Sequence, residues 1–157
     1  MPTVTVDGVS RFYEPGTDAG AIFDALYPNR KPRPLGATLN GRVRPLNWAP
    51  EGDCALTLID YTHEEGRRIY ERSLRFLFLL AVSDVLPGVR VRIEHSVGYG
   101  LYIALRTDLT DAAVAAVEAR MRSLRDAALP FSRERWTRQQ AIEHFEREGQ
   151  LDKVRLL

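Results

Sequence analysis

The 157-residue sequence contains a single cysteine, Cys54, and only two lysines, Lys31 and Lys153. One cysteine excludes both an internal disulfide framework and a cysteine-rich zinc site. The longest apolar run, residues 76–82, is far too short to span a bilayer, and the N-terminus shows no apolar signal region. These absences predict a cytoplasmic protein with no membrane partner.

Motifs that carry chemistry are also absent. The dipeptide Gly-Lys never occurs, so the chain has no phosphate-binding loop of the Gly-x-x-x-x-Gly-Lys-Ser/Thr type. The three histidines, His63, His95 and His144, are too scattered to form a metal site by spacing. We therefore assign no catalytic residue and no metal ligand from motifs.

Positive charge is concentrated in one segment, although the net charge of the whole chain is only +1. Residues 28–50 contain five cations and no acidic residue. Such a cluster can grip RNA phosphates, and it can equally be a solvated face. The candidate phosphate- or RNA-binding residues are Arg30, Lys31, Arg33, Arg42 and Arg44.

The first 62 residues alternate strand and turn signals. Asp7-Gly8 and Asn40-Gly41 predict two tight hairpins, because these pairs supply the positive φ angles of primed turns. A short helix, AGAIFDAL, lies between the hairpins, and the apolar strand ALTLID follows them. The order hairpin, helix, hairpin, strand predicts a ubiquitin-like β-grasp fold.

The remainder predicts a helix, hairpin, helix, strand, helix unit, so the chain as a whole belongs to the α+β class. Thr62 and Glu65 have the spacing of a capping box that opens a long helix, whose Tyr70 and Leu74 we expect in the core. A second capping box, at Thr137 and Gln140, is expected to open the last helix, after a short strand over 131–137.

His95-Ser96 is the most interesting polar pair, at the end of a predicted strand beside a glycine turn. A histidine there can act as acid, base or ligand, or it can be a partly exposed strand residue bonded to backbone. The candidate binding cleft comprises Arg72, Ser73, Phe76, His95, Ser96 and Tyr102.

These patterns resemble a known pair of domains. VTVDGVSRFYEPGT, LNGRVRPL and DCALTLID are similar to the TGS domain, the β-grasp module at the N-terminus of threonyl-tRNA synthetases. EEGRRIYERSLRFLFLLAVSDVLPGVRV, GYGLYIAL and LPFSRERWTRQQAIEHFEREGQLDKVRLL resemble the editing domain of the same enzymes. The resemblance implies a TGS domain at 1–62 and an incomplete editing-like α+β domain at 63–157.

The editing helix of those synthetases carries two histidines four residues apart, flanking a serine. With Ser73 in the serine position, Arg72 and Phe76 stand where the histidines would be. Neither side chain can ligate a metal or act as a base at neutral pH. The resemblance thus implies the scaffold of an editing domain without its catalytic groups.

A second resemblance is to bacterial nucleoside kinases similar to uridine kinase, which place such a region before a kinase domain. This resemblance rests on residues 70–81 and on the IEHS segment at 93–96. It implies a non-catalytic accessory region of a longer protein, with a C-terminal kinase domain, RNA or nucleotide as partners. The chain itself would hold no cofactor, and ATP and magnesium would serve the parent kinase. Two alternatives are an aminoacyl-tRNA editing hydrolase and a stand-alone RNA-binding module.

Overall fold

The computed structural model describes residues 1–98 and 100–157, and its contacts divide the chain into two compact units, 1–124 and 125–157. The first unit contains seven strands and three helices among the described residues. In chain order they are β1 (Thr3–Val6), β2 (Val9–Phe12), α1 (Ala19–Leu26), β3 (Gly36–Leu39), β4 (Arg42–Arg44), β5 (Cys54–Ile59), α2 (Glu64–Val85), β6 (Val91–Val97), β7 (Gly100–Leu105) and α3 (Asp111–Asp126).

Strands β1 to β5 form one sheet in the order β2-β1-β5-β3-β4. The two outer pairs are antiparallel hairpins, and the central strands β1 and β5 run parallel. Asp7 and Asn40 take positive φ angles in the two turns, each followed by a glycine, as the primed-turn pattern predicts. The sheet and α1 have the predicted β-grasp arrangement, and the α+β class is confirmed.

A continuous apolar core lies between α1 and this sheet. Asp18 caps α1 by accepting a hydrogen bond from the backbone N–H of Ala21, and Ile22 and Phe23 are fully buried. The buried members of the core are Val4, Val6, Ala19, Ile22, Phe23, Ala37, Leu56 and Leu58. Half-buried Leu39, Trp48 and Cys54 extend it toward the β3–β4 end of the sheet.

Helix α2 begins against the end of β5, at a point where only glycine fits. A Cβ atom added to Gly66 would lie 1.8 Å from the carbonyl oxygen of Asp60. The predicted capping box at Thr62 is wrong, because the Thr62 hydroxyl donates to Asp60 instead. His63 is the N-cap, and its side chain forms no capping hydrogen bond.

The second half of α2 packs with α3 and the β6–β7 hairpin around a smaller core. Ala81 and Val82 of α2 and Val117 and Leu124 of α3 are its buried members. Further toward the helix N-terminus, Tyr70 and Leu74 are 45% and 41% exposed. Our expectation that they belong to the core is wrong, because the apolar stripe is longer than this small core. The predicted domain boundary between residues 62 and 63 stays a prediction.

The second unit contains α4 (Arg138–Arg147) and α5 (Leu151–Val154). The capping box at Thr137 and Gln140 is confirmed, with both reciprocal bonds formed. The predicted strand over 131–137 is wrong, because those residues have no regular structure and pair with no neighbouring strand. Across the described part of the chain, no helix combines the length and apolarity needed to cross a membrane.

Candidate functional site

The edge strand β4 presents two arginines on one face of the sheet. Arg42 pairs with Leu39 and Arg44 with Ala37, both of which face the core side where α1 packs. Directly paired residues share a face, so both guanidinium groups project from the α1 side at the open edge. Neither of these cross-strand neighbours is acidic, and the positive charge of the edge is therefore not neutralised across the ladder.

The remaining cations of the 28–50 segment divide into two kinds. Lys31 and Arg33 are exposed in the loop before β3, and Arg33 forms a long ion pair, 3.9 Å, with exposed Asp24. Arg30 instead bonds the buried carboxylate of Asp60 at 3.1 Å and lies over the ring of Tyr27. Arg30 is thus committed to the fold, whereas Lys31, Arg33 and Arg42 remain available on the surface.

An open groove of about 410 Å³ lies beside Arg44. The guanidinium of Arg44 stands over the indole ring of Trp48, 5.4 Å from its centroid. The groove is lined by Leu39, Asn40, Arg44, Trp48, Pro50, Glu51, Gly52, Asp53, Cys54 and Ala55. It combines an aromatic ring, a cation and two carboxylates, a mixture that neither the spacing nor the composition of the sequence predicts.

Helix α2 carries the first half of the predicted cleft. The Ser73 hydroxyl donates to the carbonyl oxygen of Ile69 at 2.9 Å, one turn back, so it is engaged with its own helix. Arg72 and Phe76 lie four residues apart on an exposed helix face. An arginine and a phenylalanine offer no lone pair to a metal or a proton, so neither residue can act as a general base.

The β6–β7 hairpin carries the second half of the predicted cleft, residues His95, Ser96 and Tyr102. The imidazole of His95 stacks on the ring of Tyr102, with centroids 5.4 Å apart and planes 28° apart. A bulge between Ile93 and Ser96 places His95 opposite Tyr102, and both residues are exposed. In the described ranges no hydrogen bond, ion pair or ring contact joins this pair to Arg72 or Ser73. Tyr99, in the middle of the predicted glycine turn, lies outside the described residues.

Asp60 is a buried charged residue that our sequence analysis missed. Its carboxylate, 2% exposed, accepts hydrogen bonds from the backbone N–H and hydroxyl of Thr62 and from Arg30, and it lies 3.1 Å from Nδ1 of His63. The Thr62 hydroxyl, together with the Thr62 N–H, Arg30 and His63, holds the pKa of Asp60 far below its ordinary value, although burial acts in the opposite direction. The only sequence signal was an acid ending an apolar strand.

Asp60 also orients the imidazole of His63. The Nδ1 atom lies 3.1 Å from the carboxylate, and it donates to that carboxylate when it carries a proton. The side chain is 47% exposed, so the ring is held on one side and open to solvent on the other. The same Nδ1 atom lies 3.3 Å from the backbone nitrogen of Asp60 and accepts its N–H when it carries no proton. Both contacts orient the ring, which can support acid or base chemistry. The sequence pattern did not predict this pair.

Two further properties bear on the chemistry of this chain: the reactivity of the Cys54 thiol and the capacity to hold a metal ion. Burial, with a smaller effect of the neighbouring Asp53 carboxylate, raises the pKa of the Cys54 thiol, and this makes it a poorer nucleophile. Over residues 1–98 and 100–157, no group of three or more histidine, cysteine or acidic side chains is placed to hold a metal ion.

The structure thus combines a β-grasp sheet with a second core of helices and a β-hairpin, and known proteins similar to the chain are tRNA ligases. The chain is 31% identical to the threonine–tRNA ligase of Marinobacter nauticus over 163 residues. That alignment covers 100% of the chain and 25% of the ligase. The ligase of Erythrobacter litoralis is 31% identical over 94% of the chain, and that of Granulibacter bethesdensis 28% identical over all of it. No family model matches the chain.

These relatives distinguish between the two families that the sequence resembles, threonyl-tRNA synthetases and uridine kinase-like nucleoside kinases. The similarity to the N-terminal region of threonyl-tRNA synthetases is confirmed, and the chain spans about a quarter of the length of the curated relatives it matches. The uridine kinase interpretation is wrong, because the relatives found are tRNA ligases. The C-terminal kinase domain as a partner is withdrawn with it. Our expectation about cofactors, none in this chain and ATP with magnesium in a longer protein, stays a prediction.

Proposed function

We propose that this chain is an RNA-binding module related to threonyl-tRNA synthetases, and that tRNA is the RNA it binds. The observation that carries the proposal is the edge of the β-grasp sheet, where Arg42 and Arg44 share one face without an acidic cross-strand neighbour. Phosphate contacts of this kind give affinity for RNA without reading its sequence. The relatives, by their name, act on tRNA.

The exposed cations before β3 extend this basic surface. Lys31 and Arg33 lie in the loop that leads into β3, the strand paired with β4. Arg30, tied to Asp60, fixes the start of that loop, so less ordering entropy is lost when it meets a ligand. We therefore assign the RNA-binding surface to Lys31, Arg33, Arg42 and Arg44, with Arg30 as its structural anchor.

The test is binding of unmodified tRNA as a function of salt. We expect Arg33→Ala combined with Arg42→Ala to weaken binding about tenfold at low salt and to reduce the salt slope by about two, since each lost phosphate contact removes about one counterion. The matched control is Arg68→Ala combined with Arg92→Ala, which removes the same charge from arginines paired with glutamates. No binding at about 50 mM salt, or equal weakening by the control, would refute the proposal.

A second candidate function is hydrolysis of mischarged tRNA, which the Asp60–His63 pair favours. His63 offers an oriented imidazole with one open side, a better geometry for activating water than exposed His95 on its hairpin. If the chain hydrolyses seryl-tRNA, the activity should disappear with His63→Ala and survive with His95→Ala. Loss with His95→Ala alone would assign the chemistry to the hairpin, and no hydrolysis at all would leave only RNA binding. A cytoplasmic location stays a prediction, to be tested by cell fractionation.

A further inference from the structure

The groove beside Arg44 has the form of a small ligand site on the α1 face of the sheet. Leu39 and Asn40 of β3 and its turn form the floor, since β3 lies between β4 and β5. Arg44 and Trp48 line one side, and residues 51–55, which lead into β5, line the other. The volume of about 410 Å³ is within the range of pockets that hold a nucleotide-sized molecule.

One polar group in this groove lacks a partner within the protein. The Nε atom of Arg44 is buried, yet it forms no hydrogen bond with any described residue. A buried donor without a partner is unfavourable, so a small movement of Arg44 that brings this donor to a ligand or water is favoured. The guanidinium plane is meanwhile held by the Trp48 ring. Both planar groups are surfaces on which nucleobases stack.

The opposite side of the groove carries two carboxylates, those of Glu51 and Asp53. Glu51 is exposed, and Asp53 uses Oδ1 to accept the backbone N–H of Thr3 at 2.7 Å, which leaves its second oxygen for a ligand. Ionised carboxylates accept hydrogen bonds and donate none. A ligand that stacks beside Trp48 must therefore present donors to this side and negative charge to Arg44.

We propose that the groove binds an unpaired guanine nucleotide of the RNA. Guanine has two adjacent donors, N1–H and the N2 amino group, on the edge that a carboxylate reads. Adenine places an acceptor, N1, beside its single amino group and is repelled there. The nucleotide phosphate pairs with the positively charged guanidinium of Arg44. This inference rests on the proposed RNA-binding function and names the nucleotide that the groove selects.

The test uses Trp48 as the reporter in a Trp136→Phe background, where it is the only tryptophan. We expect 5′-GMP to quench its fluorescence saturably and to bind at least about fivefold more tightly than 5′-AMP. Glu51→Gln should abolish that preference, and Arg44→Gln should weaken both nucleotides about tenfold through loss of a charge-assisted bond. If Arg44→Gln fails to fold by circular dichroism, guanosine replaces it, because guanosine lacks the phosphate and should bind about tenfold more weakly than GMP.

The experiments distinguish a guanosine within RNA from a free mononucleotide. They also distinguish failure of this inference from failure of the proposed function. A single-stranded RNA with one central guanosine should bind more tightly than GMP, whereas tighter binding of free GMP would assign the groove to a mononucleotide and overturn the RNA inference. No saturable quenching by GMP up to about 10 mM, equal affinity for AMP, or a preference that survives Glu51→Gln would also overturn it. If the tRNA arm succeeds while GMP fails, the proposed function stands without this site. If both fail, both proposals are refuted.

Discussion

Substitution of Asp60 by asparagine tests how much the Asp60 carboxylate stabilises the connection between β5 and α2. Asparagine has the same shape as aspartate and keeps Oδ1 as an acceptor for Thr62. The second oxygen becomes an amino group that faces the Nη2 donor of Arg30, 3.1 Å away in the native protein. Two donors then oppose each other, and the charge that strengthened the remaining bonds is lost.

The expected loss of unfolding free energy is about 3 kcal/mol. A hydrogen bond to a charged partner contributes about 1.5–3 kcal/mol, against about 1 kcal/mol for a neutral one. The Arg30 bond disappears, and the two Thr62 bonds fall to neutral strength. Because Arg30 is 35% exposed, water replaces part of what it loses, which keeps the total below the largest values for buried ion pairs.

Urea unfolding monitored by Trp48 fluorescence in the Trp136→Phe background measures this loss. With a slope of about 2 kcal/mol/M, the midpoint should fall by about 1.5 M. Asp24→Asn is the control, since Asp24 is 63% exposed and makes one long ion pair, and it should change stability by less than about 0.5 kcal/mol. A loss below about 0.5 kcal/mol in Asp60→Asn would refute the role of Asp60.

The pH dependence supplies an independent check. Because the folded protein lowers the pKa of Asp60, the unfolded chain binds its proton more readily. The stabilisation from the carboxylate is therefore complete above the unfolded value of about 3.9 and is lost as pH falls toward the folded pKa. The gap between wild type and Asp60→Asn should narrow below about pH 4. A gap that stays constant from neutral pH down to about pH 3 would contradict this mechanism.

Three further substitutions test other parts of the fold. Gly66→Ala should cost about 3 kcal/mol or more, because its Cβ would overlap the Asp60 carbonyl, whereas Gly52→Ala, with open space around it, should change little in the same urea titration. Phe23→Ala should cost about 3–5 kcal/mol and lower the melting temperature seen by circular dichroism, since the ring is fully buried under the sheet; a loss below about 1 kcal/mol would place the core elsewhere. Thr137→Ala should remove about 1 kcal/mol of local stability from α4, read as faster amide exchange in its first turn, and unchanged exchange there would show that the capping box is not needed.

Local chemistry made the first 62 residues predictable. Asp7-Gly8 and Asn40-Gly41 fix two hairpins because few other pairs adopt the required φ angles, and the cap at Asp18 fixes the start of α1. The predicted strand over 131–137 is wrong because a strand is stable only where a neighbouring strand completes its hydrogen bonds.

The sequence by itself determined the secondary structure of the β-grasp domain, the location of the basic segment and the lack of histidines on α2. Only the tertiary structure decided what the charged residues do. Arg30 and Arg44 are alike in the sequence, yet one is bound to buried Asp60 and the other stands over Trp48 beside a groove. Spacing along the chain fixes local geometry, whereas the partner of a charge is set by which segments the core brings together.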